Sequence, residues 1–65
     1  MPEEWTGALV MKMHNNRIRR AELAQELDQT AAYVSMVLNG KRKPKGIRER
    51  MEAAVDRLIE RKAVG

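Results

Sequence analysis

Apolar residues recur with a helical period along the first part of the chain. Trp5, Leu9 and Met13 are spaced four residues apart, so their side chains lie on one side of a helix. The spacing predicts a helix from about residue 3 to residue 14, and the pair of asparagines that follows indicates its end. Ile18, the next apolar residue, is expected to pack under the two short helices that follow.

Two shorter apolar patterns lie between Arg20 and Gly40. In each, spacings of three and four residues place the apolar side chains on one stripe of a short helix. The positions are Leu23, Ala24 and Leu27 in the first pattern and Val34, Val37 and Leu38 in the second. The small side chain of Ala24 lets the two helix backbones approach closely. Two short amphipathic helices joined by a tight turn, over residues 20–39, are the layout of a helix-turn-helix.

Polar and helix-breaking residues mark the boundaries of the remaining elements. Thr30 is a candidate N-cap for the second short helix, because its hydroxyl can accept a hydrogen bond from an unpaired amide of the first turn. Pro44 and Gly46 interrupt the chain after a loop at residues 40–46, and a long final helix is expected from about residue 47 to residue 62. The whole pattern predicts an all-α fold of four to five helices.

The second short helix has an outer face without charge. Successive residues of a helix are rotated by about 100°. When the apolar stripe faces the core, the opposite side therefore carries small, hydroxyl, amide and thioether groups. These residues are Ala31, Ala32, Tyr33, Ser35, Met36 and Asn39. A face exposed only to water usually carries Lys and Glu, whereas uncharged groups suit contacts with base edges and thymine methyl groups. The pattern therefore predicts contact with DNA bases or the groove wall, and an ordinary neutral surface is the alternative.

Positive charge is concentrated around the same segment. Of the net charge of +4, the part of the chain from Arg17 to Arg50 contributes +5 and the remainder contributes −1. Basic residues at the start of the first short helix and in the loop after the second are well placed to bind phosphates. The predicted phosphate contacts are Arg20, Thr30, Lys41, Arg42, Lys43 and Lys45. Plain solvation, or a nonspecific patch for polyanions, remains the alternative for the loop.

This segment resembles the helix-turn-helix of the Cro and lambda-repressor-like (Xre) family of small phage and bacterial regulators. The residues that carry the likeness are Leu23-Ala24, Leu27, Thr30, Val34, Val37-Leu38-Asn39-Gly40 and Lys41-Arg42-Lys43-Pro44. The resemblance implies a compact lambda-repressor-like domain in which the helix after Thr30 lies in the major groove. It also implies that the preceding helix crosses the phosphate backbone.

Three positions depart from the pattern of that family. The family usually has Gly where Asp28 stands, an apolar residue at Gln29, and a Ser or Thr cap where Arg19 stands. Asp28 is expected to adopt the left-handed turn conformation, because Asp tolerates it better than most residues do. Gln29 removes an apolar contact and predicts a smaller or looser core, and Arg19 leaves the first short helix without a side-chain cap.

The composition is consistent with a small DNA-binding domain. Sixty-five residues form one domain, residues 1–65, whose core is modest. The chain has no cysteine, so it forms neither a disulfide nor a thiolate metal site. It has no apolar run of about eighteen residues and no basic-then-apolar signal segment, so neither membrane insertion nor secretion is expected.

The sequence offers little for catalysis. His14 is the only histidine, and no Ser or Thr has a basic residue placed to activate it. No glycine-rich phosphate loop or calcium-binding loop occurs either. We therefore expect no enzymatic activity, no catalytic residue, no metal, no cofactor and no small-molecule substrate.

The final helix carries two rows of like charges beside its apolar arc. They are Glu49, Glu52, Asp56 and Glu60 in the acidic row and Arg50, Arg57 and Arg61 in the basic row. Like charges four residues apart repel by roughly 0.2 to 0.5 kcal/mol per pair when they have no partner. Two interpretations stay open. A second copy of the chain could pair with these rows across a two-fold axis, or ion pairs within the chain, such as Arg48 with Glu52 and Arg57 with Glu60, could relieve the repulsion.

Together these patterns predict a sequence-specific transcriptional regulator that binds double-stranded DNA. It would act in the cytoplasm, on the nucleoid, and repress transcription by occupying an operator. The resemblance suggests a phage or a mobile element as its source. Two alternatives stay open: a DNA-binding accessory factor, such as a recombination directionality protein or an antitoxin-like regulator, and a protein-interaction module on the same fold.

Overall fold

Four α-helices account for most of the chain. The computed structural model describes residues 3–64, and within them α1 spans Glu4–Asn15, α2 Arg20–Glu26, α3 Ala31–Leu38 and α4 Ile47–Val64. No strand occurs in this part of the chain, so the all-α prediction is confirmed, with four helices. The predicted bounds of α1 and α4 differ from those in the structure by one or two residues.

The four helices enclose one apolar core. α2 packs against α3 and α4, and α1 closes the core by contacting α3 and α4. The fully buried side chains are Leu23, Val34, Val37, Met51 and Val55. Since these residues come from α2, α3 and α4, the same apolar contacts fix the positions of all three helices.

Two residues that the sequence assigns to the core lie at its edge. Trp5 and Leu27 are half-buried and pack against the buried cluster. Leu27 follows the last residue of α2, and Trp5 lies in the first turn of α1, where its indole Nε1 donates a hydrogen bond to Glu3 at 3.0 Å. Ile18 is buried, with 6% of its surface exposed, as predicted.

α1, α2 and α3 all end with the same backbone motif. A residue with a positive φ follows each helix, namely Arg17 at 56°, Asp28 at 57° and Gly40 at 78°. The N–H of the next residue donates to the carbonyl five residues back, at 2.8 Å in each case, which closes the helix end. The pairs are Ile18 with Met13, Gln29 with Ala24 and Lys41 with Met36. The left-handed conformation predicted for Asp28 is confirmed, whereas that of Arg17 was not predicted.

The start of α2 has a polar partner that the sequence analysis missed. The backbone N–H of Arg19 donates to Glu22 Oε1 at 3.0 Å. This hydrogen bond and then the contact with Lys62, 3.0 Å away, lower the pKa of Glu22. A guanidinium has no acceptor atom and cannot cap α2, so Glu22 supplies one half of a capping box from inside the helix. Arg19 provides no side-chain cap, as the sequence predicts, and Glu22 compensates in part.

Glu26 joins α2 to α4 through two arginines. Its Oε2 accepts a hydrogen bond from Arg57 Nε at 2.7 Å, and its Oε1 lies 3.0 Å from Arg61 Nη2. The hydrogen bonds from Arg57 and then Arg61 lower the pKa of Glu26. A further inter-helix ion pair, between Lys12 on α1 and Asp56 on α4, measures 2.7 Å.

These ion pairs provide partners within the chain for charges of both rows on α4. Arg48 lies 3.4 Å from Glu52, as one interpretation of the sequence expected, but Arg57 pairs with Glu26 rather than with Glu60. The apolar arc of α4 also faces the core of its own chain. Its buried residues are Ile47, Met51, Ala54, Val55 and Leu58. These ion pairs leave less repulsion for a second copy to relieve, and dimerisation through α4 stays a prediction.

Candidate nucleic-acid interface

α3 is oriented as its apolar stripe predicts. Val34, Val37 and Leu38 point into the core and are 0%, 1% and 4% exposed. The outer face of α3, as defined from the sequence, consists of three exposed and three half-buried residues. Ala31, Ala32 and Asn39 are exposed, and Tyr33, Ser35 and Met36 are half-buried. The predicted orientation is confirmed, and the outer face of α3 carries no charged residue of its own.

Thr30 fixes the start of α3. Its φ and ψ of −89° and 157° are those of an extended residue, and its Oγ1 accepts a hydrogen bond from the N–H of Tyr33 at 3.1 Å. The predicted N-cap is therefore confirmed. Because a hydroxyl both accepts and donates, its proton stays available for a further partner such as a phosphate oxygen.

The basic loop, residues 40–46, is attached to the end of α3. The N–H groups of Lys41 and Arg42 both donate to the Met36 carbonyl, at 2.8 and 3.3 Å. At its other end, the Lys45 carbonyl accepts a hydrogen bond from Arg50 of α4 at 3.3 Å. The backbone of the loop is thus held at the C-terminal end of α3 and the start of α4, while its basic residues are exposed to solvent. These residues are Lys41, Arg42, Lys43 and Lys45.

Lys43 has an acidic neighbour in the folded chain. Its Nζ lies 3.7 Å from Glu3 Oε1, and the two side chains are 56% and 50% exposed. An exposed ion pair of this length contributes little to stability. Lys43 can therefore exchange the Glu3 carboxylate for a more highly charged partner at low cost.

Two arginines border the outer face of α3 on opposite edges. Arg20, the first residue of α2, donates from Nη1 to the Ser35 hydroxyl oxygen at 2.9 Å. Arg42 lies over the ring of Tyr33, with its Cζ 5.3 Å from the ring centroid, which is within range of a cation–π contact. Ser35 and Tyr33 are two positions apart, so a rotation of about 100° per residue places them on opposite edges of the face.

The sequence analysis identified these four residues but missed both contacts. It assigned Arg20 and Arg42 to phosphates, and Ser35 and Tyr33 to bases or the groove wall. The structure brings them together in pairs. Arg20 and Ser35 are fifteen residues apart in the chain, so no local spacing indicates their hydrogen bond.

Other kinds of site are less well supported by the described part of the chain. Within residues 3–64, no three His, Asp or Glu side chains lie close enough together to hold a metal ion. No helix among these residues is both long and apolar enough to cross a membrane. No family model, curated protein or solved structure matches the chain.

Proposed function

We propose that the chain is a small sequence-specific DNA-binding regulator that represses transcription by occupying an operator. The observation that carries this proposal is the outer face of α3. It is uncharged and turned away from the core, and Arg20 and Arg42 are held on its two edges. Nothing favours an uncharged face between two cations on a helix that contacts only water. In a helix that enters a DNA groove, the uncharged face suits the base edges and the flanking cations suit the negatively charged DNA.

The proposed contacts divide into those that select sequence and those that position the protein. Ala32 and Met36 offer methyl groups that suit the C5-methyl of thymine, and the Asn39 side-chain amide can pair with a base edge in the major groove. The lysines of the basic loop and Arg42 neutralise phosphates beside that groove. Such contacts release counterions and fix the register without choosing a sequence.

α2, the turn at residues 27–30 and α3 then act as a helix-turn-helix of the lambda-repressor-like type. In that arrangement α3 lies in the major groove and α2 crosses the backbone. The hydrogen bond that the Thr30 hydroxyl accepts from the Tyr33 N–H fixes where α3 begins, and the packing of α3 against α2 fixes the direction of α3. The bound protein would block polymerase or a competing regulator by occupying the same DNA.

Selection of bound sites from a random duplex library tests this proposal. The purified chain is expected to enrich one motif, and to bind it about 10³-fold or more tightly than unrelated duplex at the same salt concentration. A palindromic motif would also indicate two copies on the DNA, whereas a single unrepeated motif would indicate one. Equal binding to all duplexes would contradict a sequence-specific regulator. A chain that binds no duplex even at low salt would favour the protein-interaction alternative.

A further inference from the structure

Arg20 is hydrogen-bonded to the base-contacting surface proposed above. It is exposed on α2, yet its Nη1 is hydrogen-bonded at 2.9 Å to Ser35, which belongs to the outer face of α3. The guanidinium therefore lies along one edge of that face. A phosphate contact requires only that an arginine reach the backbone, whereas this hydrogen bond turns Arg20 toward the groove side of α3.

The hydrogen bond with Ser35 leaves Arg20 able to bind a base. A guanidinium carries five N–H donors in a planar fork, and Ser35 engages one of them. The donors that remain are sufficient for two parallel hydrogen bonds. In the major groove, guanine presents two acceptors, O6 and N7, at the matching separation, whereas adenine presents one acceptor beside a donor.

We propose that Arg20 contacts a guanine at one edge of the DNA site, and that Ser35 is a positioning residue that holds it there. This inference rests on the proposed function, since it names the base that one residue of the same surface selects. Holding an arginine in place before binding reduces the conformational entropy that it loses on the DNA. Arg42, whose guanidinium lies over Tyr33, belongs to the basic loop and keeps its assignment to a phosphate.

Base preferences of matched variants test the inference. Wild type, R20A, R20K, S35A and R42A are each measured against the selected site and against versions of it with every guanine replaced in turn, at fixed salt. Replacement of one particular guanine is expected to weaken DNA binding by wild type about 5- to 150-fold, the range for a single bidentate pair. The same replacement should not change the affinity of R20A. R20K should lose the preference as well, because an ammonium keeps the charge without the planar fork.

The remaining variants separate base contact from phosphate contact and from folding. R42A is expected to bind every version more weakly while keeping the guanine preference. S35A should reduce the preference by a smaller factor than R20A, and S35T, which keeps the hydroxyl, should restore it. The three residues changed in these variants, Arg20, Ser35 and Arg42, are exposed or half-buried, and thermal unfolding checks that each variant folds.

Each outcome bears on a different step. A motif without guanine, or a guanine preference that persists in R20A, overturns the inference and leaves the proposed function standing. A preference that R20A loses and S35A keeps in full overturns the positioning role of Ser35. If wild type enriches no motif at all, the proposed function fails and this inference fails with it.

Discussion

Leu23 is fully buried, whereas Leu27, four residues later and directly after α2, is half-buried. Replacing Leu23 with Ala is expected to reduce the free energy of unfolding by about 2 to 5 kcal/mol, because it removes buried surface and leaves a cavity. A domain of this size has a net stability of only about 3 to 5 kcal/mol. L23A should therefore lose much of its stability, and L27A should show a clearly smaller loss.

Urea denaturation followed by circular dichroism measures both losses. L27A is the matched control, since it makes the same Leu-to-Ala change at another position of the same apolar stripe. Equal destabilisation by the two substitutions would show that burial does not determine their cost.

The periodicity of the sequence predicts which side chains of α3 and α4 are buried, because both helices continue for at least two turns. The periodicity does not predict that Leu27 is only half-buried, because α2 ends one residue before it. The left-handed residue that closes α2, Asp28, carries only a weak sequence signal for the position of that end. Burial of single residues is thus predictable inside the helices and less so at their ends.

The backbone at the end of α1 stores strain that glycine would relieve. Arg17 has a φ of 56°, a conformation that costs an ordinary L-residue about 1 to 2 kcal/mol. Glycine adopts it freely but loses more chain entropy on folding, by about 0.5 to 1 kcal/mol. R17G is therefore expected to raise the free energy of unfolding by about 0 to 1.5 kcal/mol.

Q25G is the control, since Gln25 is also exposed but lies inside α2, where its φ is not positive. It should lower the stability, because only the entropic cost applies. Thermal unfolding of both variants gives the comparison. A lower melting temperature for R17G than for wild type would contradict the strain assigned to Arg17.

The ion pairs between α2 and α4 predict a pH dependence of stability. Hydrogen bonds from Arg57 and Arg61 lower the pKa of Glu26 in the folded chain. A carboxylate with a lowered pKa stabilises the fold above its unfolded value of about 4.3, and this contribution is lost as the pH falls through the folded value. E26Q should therefore melt at a lower temperature than wild type at neutral pH, and the difference should shrink at about pH 3.

E60Q is the control, because Glu60 is an exposed carboxylate that forms no ion pair within residues 3–64. It should melt close to wild type at both pH values. If the gap between E26Q and wild type were the same at neutral and acidic pH, the linkage of α2 to α4 through Glu26 would have no support.

The sequence predicts the helices better than it predicts the contacts between them. Spacing and breaker residues predict α1 and α4 closely, and the threonine before α3 predicts its cap. The partner of the Arg19 N–H has a sequence signal that was overlooked, since Glu22 lies three residues further on, as in a capping box. The bonds of Arg20 and of Glu26 join residues far apart in the chain and need the packed fold to be seen.

Arg20 and Arg42 lie at the two edges of the outer face of α3, and the basic loop follows α3 in the chain. If Arg42 contacts a phosphate, R42A should weaken binding to all duplexes alike and reduce the slope of log affinity against log salt by about one unit. K12A is the matched control, because it removes one positive charge from α1, where Asp56 neutralises it at 2.7 Å. Its slope should equal that of wild type. If the slope for R42A also equalled that of wild type, Arg42 would not contact a phosphate.

The central claim of this account is that the outer face of α3 enters the duplex. A carboxylate placed on that face would meet phosphates and base edges, and like charges brought together across an interface cost several kcal/mol. Ala32 on α3 and Ala53 on α4 are both exposed alanines within helices, so A32E and A53E change the net charge equally and preserve helix propensity.

Binding of these two variants to the selected duplex, with thermal unfolding measured in parallel, is the most direct test. Both should melt close to wild type. A32E is expected to lose affinity by about 100-fold or more, while A53E stays within a few-fold of wild type. If A32E folds and binds the duplex as tightly as A53E does, the outer face of α3 does not contact DNA and the account is wrong.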